Sequence, residues 1–213
     1  MPKISFITLG CKLNYAETST YERGFINEGF EVVPPSKKAD VCIINTCSVT
    51  EHSDKKSRNL IRKMHRSNPD ATIAVTGCSA QLRRSEIEKI EGVRFVFGAS
   101  EKSSVVRTVT EYVRTGKTSA PAASSETGPE TLPCHGEGNT DSVFPAYSSG
   151  ERTRSFLKVQ DGCDYKCAYC TVPYARGESR NIPIDTVVAQ AEEIASQGIR
   201  EIVLTGVNTG DFG

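Results

Sequence analysis

The chain has 213 residues, 26 Lys plus Arg against 26 Asp plus Glu, and 37% hydrophobic and 24% charged residues. This is ordinary for a globular protein, offers no net charge to draw nucleic acid or membrane, and has no apolar run near the ~20 residues of a membrane helix. Eight cysteines behind a start without an apolar signal segment point to a cytoplasmic protein whose thiols bind metal or do chemistry rather than form disulfides.

Residues 1–115 read as alternating strands and helices. A strand is expected over 3–9 and a helix over 14–27, with Tyr21, Phe25 and Ile26 on one side. A short strand over 30–33 ends at Pro34-Pro35, and the apolar run over 40–46 has the length of a strand buried on both faces. A helix over 54–66 carries Leu60, Ile61 and Met64, followed by a strand over 71–76, a helix over 82–90 and a strand over 94–97. Val105, Val106, Val109 and Val113 recur at helical spacing over 104–114. Such alternation predicts an α/β fold with a doubly wound parallel sheet.

Cys11, Cys47 and Cys78 each fall at the carboxyl end of an expected strand, where the chain turns toward a helix. In a parallel sheet those ends share one edge, where ligands bind, so three thiols far apart in sequence can converge. The following helix N-termini favour an anionic group there. Unrelated buried thiols are the plainer alternative, and Cys42, inside the 40–46 run, reads as core. Residues 116–150 are rich in Ser, Thr, Ala, Pro and Glu and read as a linker, with Cys134 and His135 as loop residues.

Beyond it, a strand over 155–160 delivers Cys163, Cys167 and Cys170, spaced C-x3-C-x2-C. A polar stretch over 172–182 carries Arg176, Glu178 and Arg180. A helix over 183–196 and a strand over 201–204 complete a strand–helix–strand unit. Three thiolates want a soft metal, zinc or iron–sulfur. A structural zinc site wants four ligands, and no His or Cys follows between Thr171 and Gly213. Three thiolates on a 4Fe–4S cluster leave one iron open for a substrate or cofactor.

The triad, with Tyr169 just before its last cysteine, resembles the signature of the radical S-adenosylmethionine (SAM) superfamily. Gly10-Cys11-Lys12-Leu13-Asn14, Asn45-Thr46-Cys47-Ser48-Val49-Thr50, Thr76-Gly77-Cys78 and Val172-Pro173-Tyr174-Ala175-Arg176-Gly177-Glu178-Ser179-Arg180 together resemble its methylthiotransferase family. The resemblance implies an auxiliary 4Fe–4S cluster on Cys11, Cys47 and Cys78, and a SAM-cleaving 4Fe–4S cluster on Cys163, Cys167 and Cys170. Tyr169 would contact the cofactor. It implies insertion of a methylthio group into a C–H bond, one SAM giving the methyl group and a second the radical, with sulfur carried by the auxiliary cluster. The 10–14 motif and Ser53-Asp54-Lys55-Lys56-Ser57-Arg58 look most like the branch that converts N6-threonylcarbamoyladenosine at position 37 of the tRNA anticodon loop. An electron donor such as flavodoxin or ferredoxin would be a further partner, with no membrane involved.

Family members have a complete radical SAM barrel and a C-terminal RNA-binding domain, so the chain reads as a fragment, inactive alone. The expected division is 1–115 for the auxiliary-cluster domain, 116–150 for the linker and 151–213 for the start of the barrel. The alternatives are methylthiotransferases acting on isopentenyladenosine tRNA or a ribosomal protein, another radical SAM chemistry, or a non-enzymatic zinc-binding nucleic-acid module. Six Lys/Arg and no acid between Lys55 and Arg66 suit the last.

Overall fold

A computed structural model describes residues 1–48, 50–116, 143–150 and 153–213. Cys134 and His135 lie outside them. The first part runs β1 (Lys3–Thr8), α1 (Lys12–Asn27), β2 (Glu31–Val32), β3 (Val41–Thr46), α2 (Glu51–Ser67), β4 (Thr72–Gly77), α3 (Cys78–Leu82), α4 (Arg84–Glu88), β5 (Val93–Phe97), a 3-10 turn at Ala99–Ser104 and α5 (Val105–Thr115). The strands form one parallel sheet in the order β2-β1-β3-β4-β5.

All six residues of β3 are buried, as its unbroken apolar run demands, and alternate residues feed opposite cores. Cys42 and Ile44 pack with Ile73, Val75, Ile61 and Met64 of α2, and Ala80 and Ile87 of α3 and α4. Val41 and Ile43 pack on the other face with Tyr21 and Phe25 of α1 and Val105 and Val109 of α5. Each such Ile or Val contributes about 1.5–3 kcal/mol by leaving water. Cys42 is therefore core, and its thiol is pushed up by burial, opposed by hydrogen bonds that include one with Ser5 Oγ.

Two helices differ from expectation. In α1 the buried row is Leu13, Glu17, Tyr21 and Phe25, spaced by four, while Ile26 is 52% exposed. Where one helix was expected over 82–90 there are two short ones. The first starts at Cys78, immediately off the strand, and Arg83 (φ −129°, ψ 32°) breaks the run. Glu86 N and Ile87 N both donate back to Arg83 O, starting the second.

The second part runs β6 (Arg154–Lys158), β7 (Gln160–Asp161), α6 (Val172–Arg176), β8 (Arg180–Asn181), α7 (Ile184–Ser196) and β9 (Glu201–Thr205). Strands β6 and β9 pair in parallel, α7 supplies the crossover, and β7 pairs antiparallel with β8. Val187, Ala191 and Ile194 of α7 pack on Leu157 and Val159.

The two parts are packed together. Residues 143–149, in the stretch expected as a linker, lie between them: Phe144 stacks on Tyr21 at 5.3 Å, and Tyr147 bridges to Leu157. Ala16, Ala146 and Phe156 form a small shared core. Arg23 lies 3.7 Å over the Tyr147 ring and donates to the Tyr147 carbonyl at 3.0 Å. Among the described residues, no helix is long and apolar enough to cross a membrane.

Candidate functional site

The three cysteines of the first part follow β1, β3 and β4, adjacent strands at the centre of the sheet. Register aligns their ends: Thr8 pairs with Asn45, Asn45 with Thr76, and Thr46 with Gly77. Cys47 and Cys78 thus leave neighbouring strands at the same level, where strands lie about 4.8 Å apart. Cys11 is the N-cap residue of α1, while Cys78 opens α3. Gly10 (φ +106°) carries the β1 turn across Cys47, and a Cβ there would stand 2.8 Å from Cys47 Cβ and 3.0 Å from its sulfur. Only glycine lets that backbone come so close.

Polar side chains tie the three turns together. Asn14, fully buried, donates from Nδ2 to Leu9 O (2.7 Å) and Thr46 O (3.0 Å). Asn45 Nδ2 donates to Asn14 O at 3.1 Å, and Thr46 Oγ1 to Thr76 O at 2.7 Å. Ser57 Oγ donates to Cys47 O at 3.3 Å, and the Ser79 hydroxyl lies between Cys47 O and the Asp54 carboxylate. The three cysteine turns are therefore pinned to one another by hydrogen bonds.

Cys163, Cys167 and Cys170 occupy the loop between β7 and α6. Gly162 (φ +77°) turns into it, and a Cβ there would lie 1.8 Å from Glu178 O. Cys163 N donates to Gly177 O and Cys170 N to Cys167 O, both at 3.0 Å, so the loop is compact and anchored. Gln160, absent from the candidates read from sequence, organises it. Its Nε2 reaches Gly162 O (2.7 Å) and Ser179 Oγ (2.9 Å), and its Oε1 accepts from Val207 N and Asn208 N (2.8 and 2.9 Å). The cysteine loop, the β8 approach and the end of β9 meet on this one side chain. Cys167 is exposed, Cys163 and Cys170 are half-buried, and Tyr169 is 92% exposed.

Between the two cysteine groups lies a buried charge cluster that sequence reading missed. Glu17 Oε1 receives Lys102 Nζ (2.8 Å), Lys158 Nζ (3.0 Å) and Arg176 Nη1 (3.2 Å). Asp161 receives Lys158 Nζ (2.6 Å) and Arg176 Nη1 (2.8 Å). Each of the five side chains is at most 5% exposed. Three cations face two carboxylates, leaving one positive charge in excess. Burial alone would raise both carboxyls, but Lys102, Lys158 and Arg176 outweigh it and hold Glu17 and Asp161 below the usual range. Burial would lower Arg176, but Glu17 and Asp161 hold it above its usual value.

Arg176 also reaches the first cysteine group. Its Nη2 donates to Asn14 Oδ1 at 2.5 Å and lies 4.0 Å from Cys11 Sγ. Burial pushes the Cys78 thiol up, opposed by Arg176 and then Lys102. The signals were present: Glu17 shares its helical row with Leu13, Tyr21 and Phe25, and Lys158 interrupts an apolar strand.

Among the described residues, no three Cys, His, Asp or Glu side chains gather closely enough for a single metal ion. A cubane cluster binds each thiolate through a different iron and asks for wider spacing. Three thiols at aligned strand ends beside a surplus buried cation fit such an anionic group, and the three thiols of the compact second loop fit another. On α2, Lys55, Lys56, Arg62, Lys63 and Arg66 are exposed, whereas Arg58 pairs with Glu86 at 3.1 Å.

Residues 3–98 match the family described as Uncharacterized protein family UPF0004, and residues 157–212 match the Radical SAM superfamily. The chain is 37% identical to the threonylcarbamoyladenosine tRNA methylthiotransferase MtaB of Bacillus subtilis, over 100% of this chain and 45% of that protein. With the same-named protein of Aquifex aeolicus it is 36% identical, over 99% of this chain and 49% of the relative. Over its whole length the chain is similar to radical SAM methylthiotransferases. A tRNA-2-methylthio-N(6)-dimethylallyladenosine synthase from Akkermansia muciniphila is 28% identical over 100% of the chain and 48% of its own length. The chain spans about half the length of the curated relatives it matches. Among solved structures, the fold is similar to the radical SAM methyltransferase TsrM from Kitasatospora setae bound to tryptophan and aza-SAM. The TM-score is 0.60 at 14% identity, covering 99% of this chain and 48% of that one.

Proposed function

We propose that this chain carries the cluster-binding portion of a tRNA methylthiotransferase that converts N6-threonylcarbamoyladenosine at position 37 to its 2-methylthio derivative. The observation that carries it is the pairing of two three-cysteine groups, one on the sheet edge and one on the β7–α6 loop, on either side of Arg176. The identities of 37% and 28% favour the threonylcarbamoyl branch over the dimethylallyl branch. In this reading Cys11, Cys47 and Cys78 hold the auxiliary 4Fe–4S cluster, and Cys163, Cys167 and Cys170 hold the second. Residues 1–115 and 151–213 are their respective domains.

When bound, these groups supply reductive SAM cleavage at the second site and a sulfur source at the first, with electrons from a donor such as flavodoxin or ferredoxin. The chain's own residues do the holding. Asn14, Asn45 and Thr46 keep the strand-end turns in register, while Gln160 and Gly162 shape the second loop. Tyr169, exposed beside Cys170, offers a ring face to the cofactor. The packing of β6 and Phe144–Ser149 against α1 keeps the two cysteine groups on one body.

Deleting the gene for this chain in its host tests the reading. Nucleoside mass spectrometry of bulk tRNA should then lose the 2-methylthio derivative and retain threonylcarbamoyladenosine. An unchanged nucleoside profile refutes the substrate. A purified anaerobic protein holding zinc without sulfide refutes the chemistry.

A further inference from the structure

We propose that Arg176 is a positioning residue shared by both cysteine groups, which raises the reduction potential of a cluster held by Cys11, Cys47 and Cys78. This rests on the two-cluster reading above. The guanidinium leaves the second part of the chain six residues after Cys170 and ends against the first group: 2.5 Å from Asn14 Oδ1 and 4.0 Å from Cys11 Sγ. Its other terminal nitrogen is fixed by Glu17 and Asp161. Arg176 O in turn receives Arg180 Nη2 at 2.5 Å, and Cys163 N bonds the next carbonyl, Gly177 O. The guanidinium thus touches the turn of the first group, while the residue next to Arg176 in the chain holds the loop of the second.

The electrostatic argument follows from burial. A guanidinium matches planar acceptors through a rigid fork and keeps its charge, unlike a lysine. At 3% exposure its field is little screened by water or salt. Potentials of iron–sulfur clusters respond to net charge, hydrogen bonds to sulfur and solvent exposure. Reduction adds a negative charge, so a fixed cation beside the ligand sulfur favours the reduced form. Asp161 and Glu17 act oppositely, since each partly neutralises Arg176. The charged groups facing the site are Arg176, Lys102, Lys158, Glu17 and Asp161, with Cys78 beside them.

The test uses protein with Cys163, Cys167 and Cys170 changed to Ala, reconstituted anaerobically so that only the first group is loaded, and titrated with EPR detection. Arg176→Gln should shift the midpoint potential to more negative values, with Arg176→Lys between it and the parent. Asp161→Asn removes a negative charge, so it should shift the potential the other way. Mere loosening of the structure would move Arg176→Gln and Asp161→Asn in the same direction, by admitting water. Shifts of the same sign in these two variants, or no shift in either, overturn the inference while leaving the two-cluster reading intact. A parent that takes up no iron and sulfide overturns that reading, and this inference with it.

Discussion

Changing Glu17 to Gln removes one of the two carboxylates that three buried cations share. At about 3 Å and an effective dielectric near 20, each pair is worth roughly 5–6 kcal/mol of gross attraction. Most of this is offset by stripping water from the charges and by repulsion among Lys102, Lys158 and Arg176. Removing one partner from a buried ion pair typically costs about 3–5 kcal/mol net. That figure applies here because Glu17 is wholly buried. Against a usual total of about 5–15 kcal/mol it is a large loss. It should concentrate where the two parts meet, since Glu17 lies on α1 while Lys158 and Arg176 come from the second part. Urea unfolding would give the size, and hydrogen exchange the place: amides of β6 and β7 should lose protection while β3 and β4 keep theirs. Adding Lys102→Met to Glu17→Gln should recover part of the loss by removing an orphaned cation. A loss under about 1 kcal/mol, or one spread evenly over the central sheet, would refute the reasoning.

Gly10→Ala should strain the left-handed turn by about 1–2 kcal/mol and push Cys47 aside, so reconstituted protein should lose the first group's share of iron and keep the second's. Changing Cys163, Cys167 and Cys170 to Ala should halve the bound iron, and changing Cys11, Cys47 and Cys78 should halve it likewise. Cys42→Ala should keep full iron, and either triple variant losing all iron while folded contradicts the assignment. The metal-free chain should also show an acid limit. Glu17 and Asp161 are held below their ordinary values of 4.5 and 3.8. Their contribution is complete above about pH 4.5 and is lost as pH falls through the lowered range, because only the unfolded chain takes up protons at first. Chemical denaturation across pH 2–7 would show that slope, and Glu17→Gln should flatten it.

The cysteine positions at strand ends were legible because a parallel sheet puts all such ends on one edge, and the runs preceding Cys47 and Cys78 are too apolar to be anything but buried strands. The core role of Cys42 was legible for the same reason. The join between the two parts was not. Periodicity scores Glu17, Lys102, Lys158 and Arg176 as polar and therefore exposed, while their burial depends on partners 85 to 159 residues from Glu17. The split at Arg83 was hidden because Arg84 has equal use in a helix and as a tertiary clamp: it pairs with Glu88 on its own helix and donates to Val96 O on β5. Gln160 read as the end of a strand, since nothing local distinguishes a buried amide that serves three loops from an exposed one.

The order of synthesis bears on the charge cluster. Glu17 meets Lys102 within the first half of the chain, but Arg176 is made about seventy residues later, roughly 4–15 s at elongation rates of about 5–20 residues per second. For that interval on the ribosome the sheet edge bearing Cys11, Cys47 and Cys78 can fold while the guanidinium that will lie against Cys11 does not yet exist. The first cysteine group thus lacks its neighbouring cation until the second part of the chain has been made.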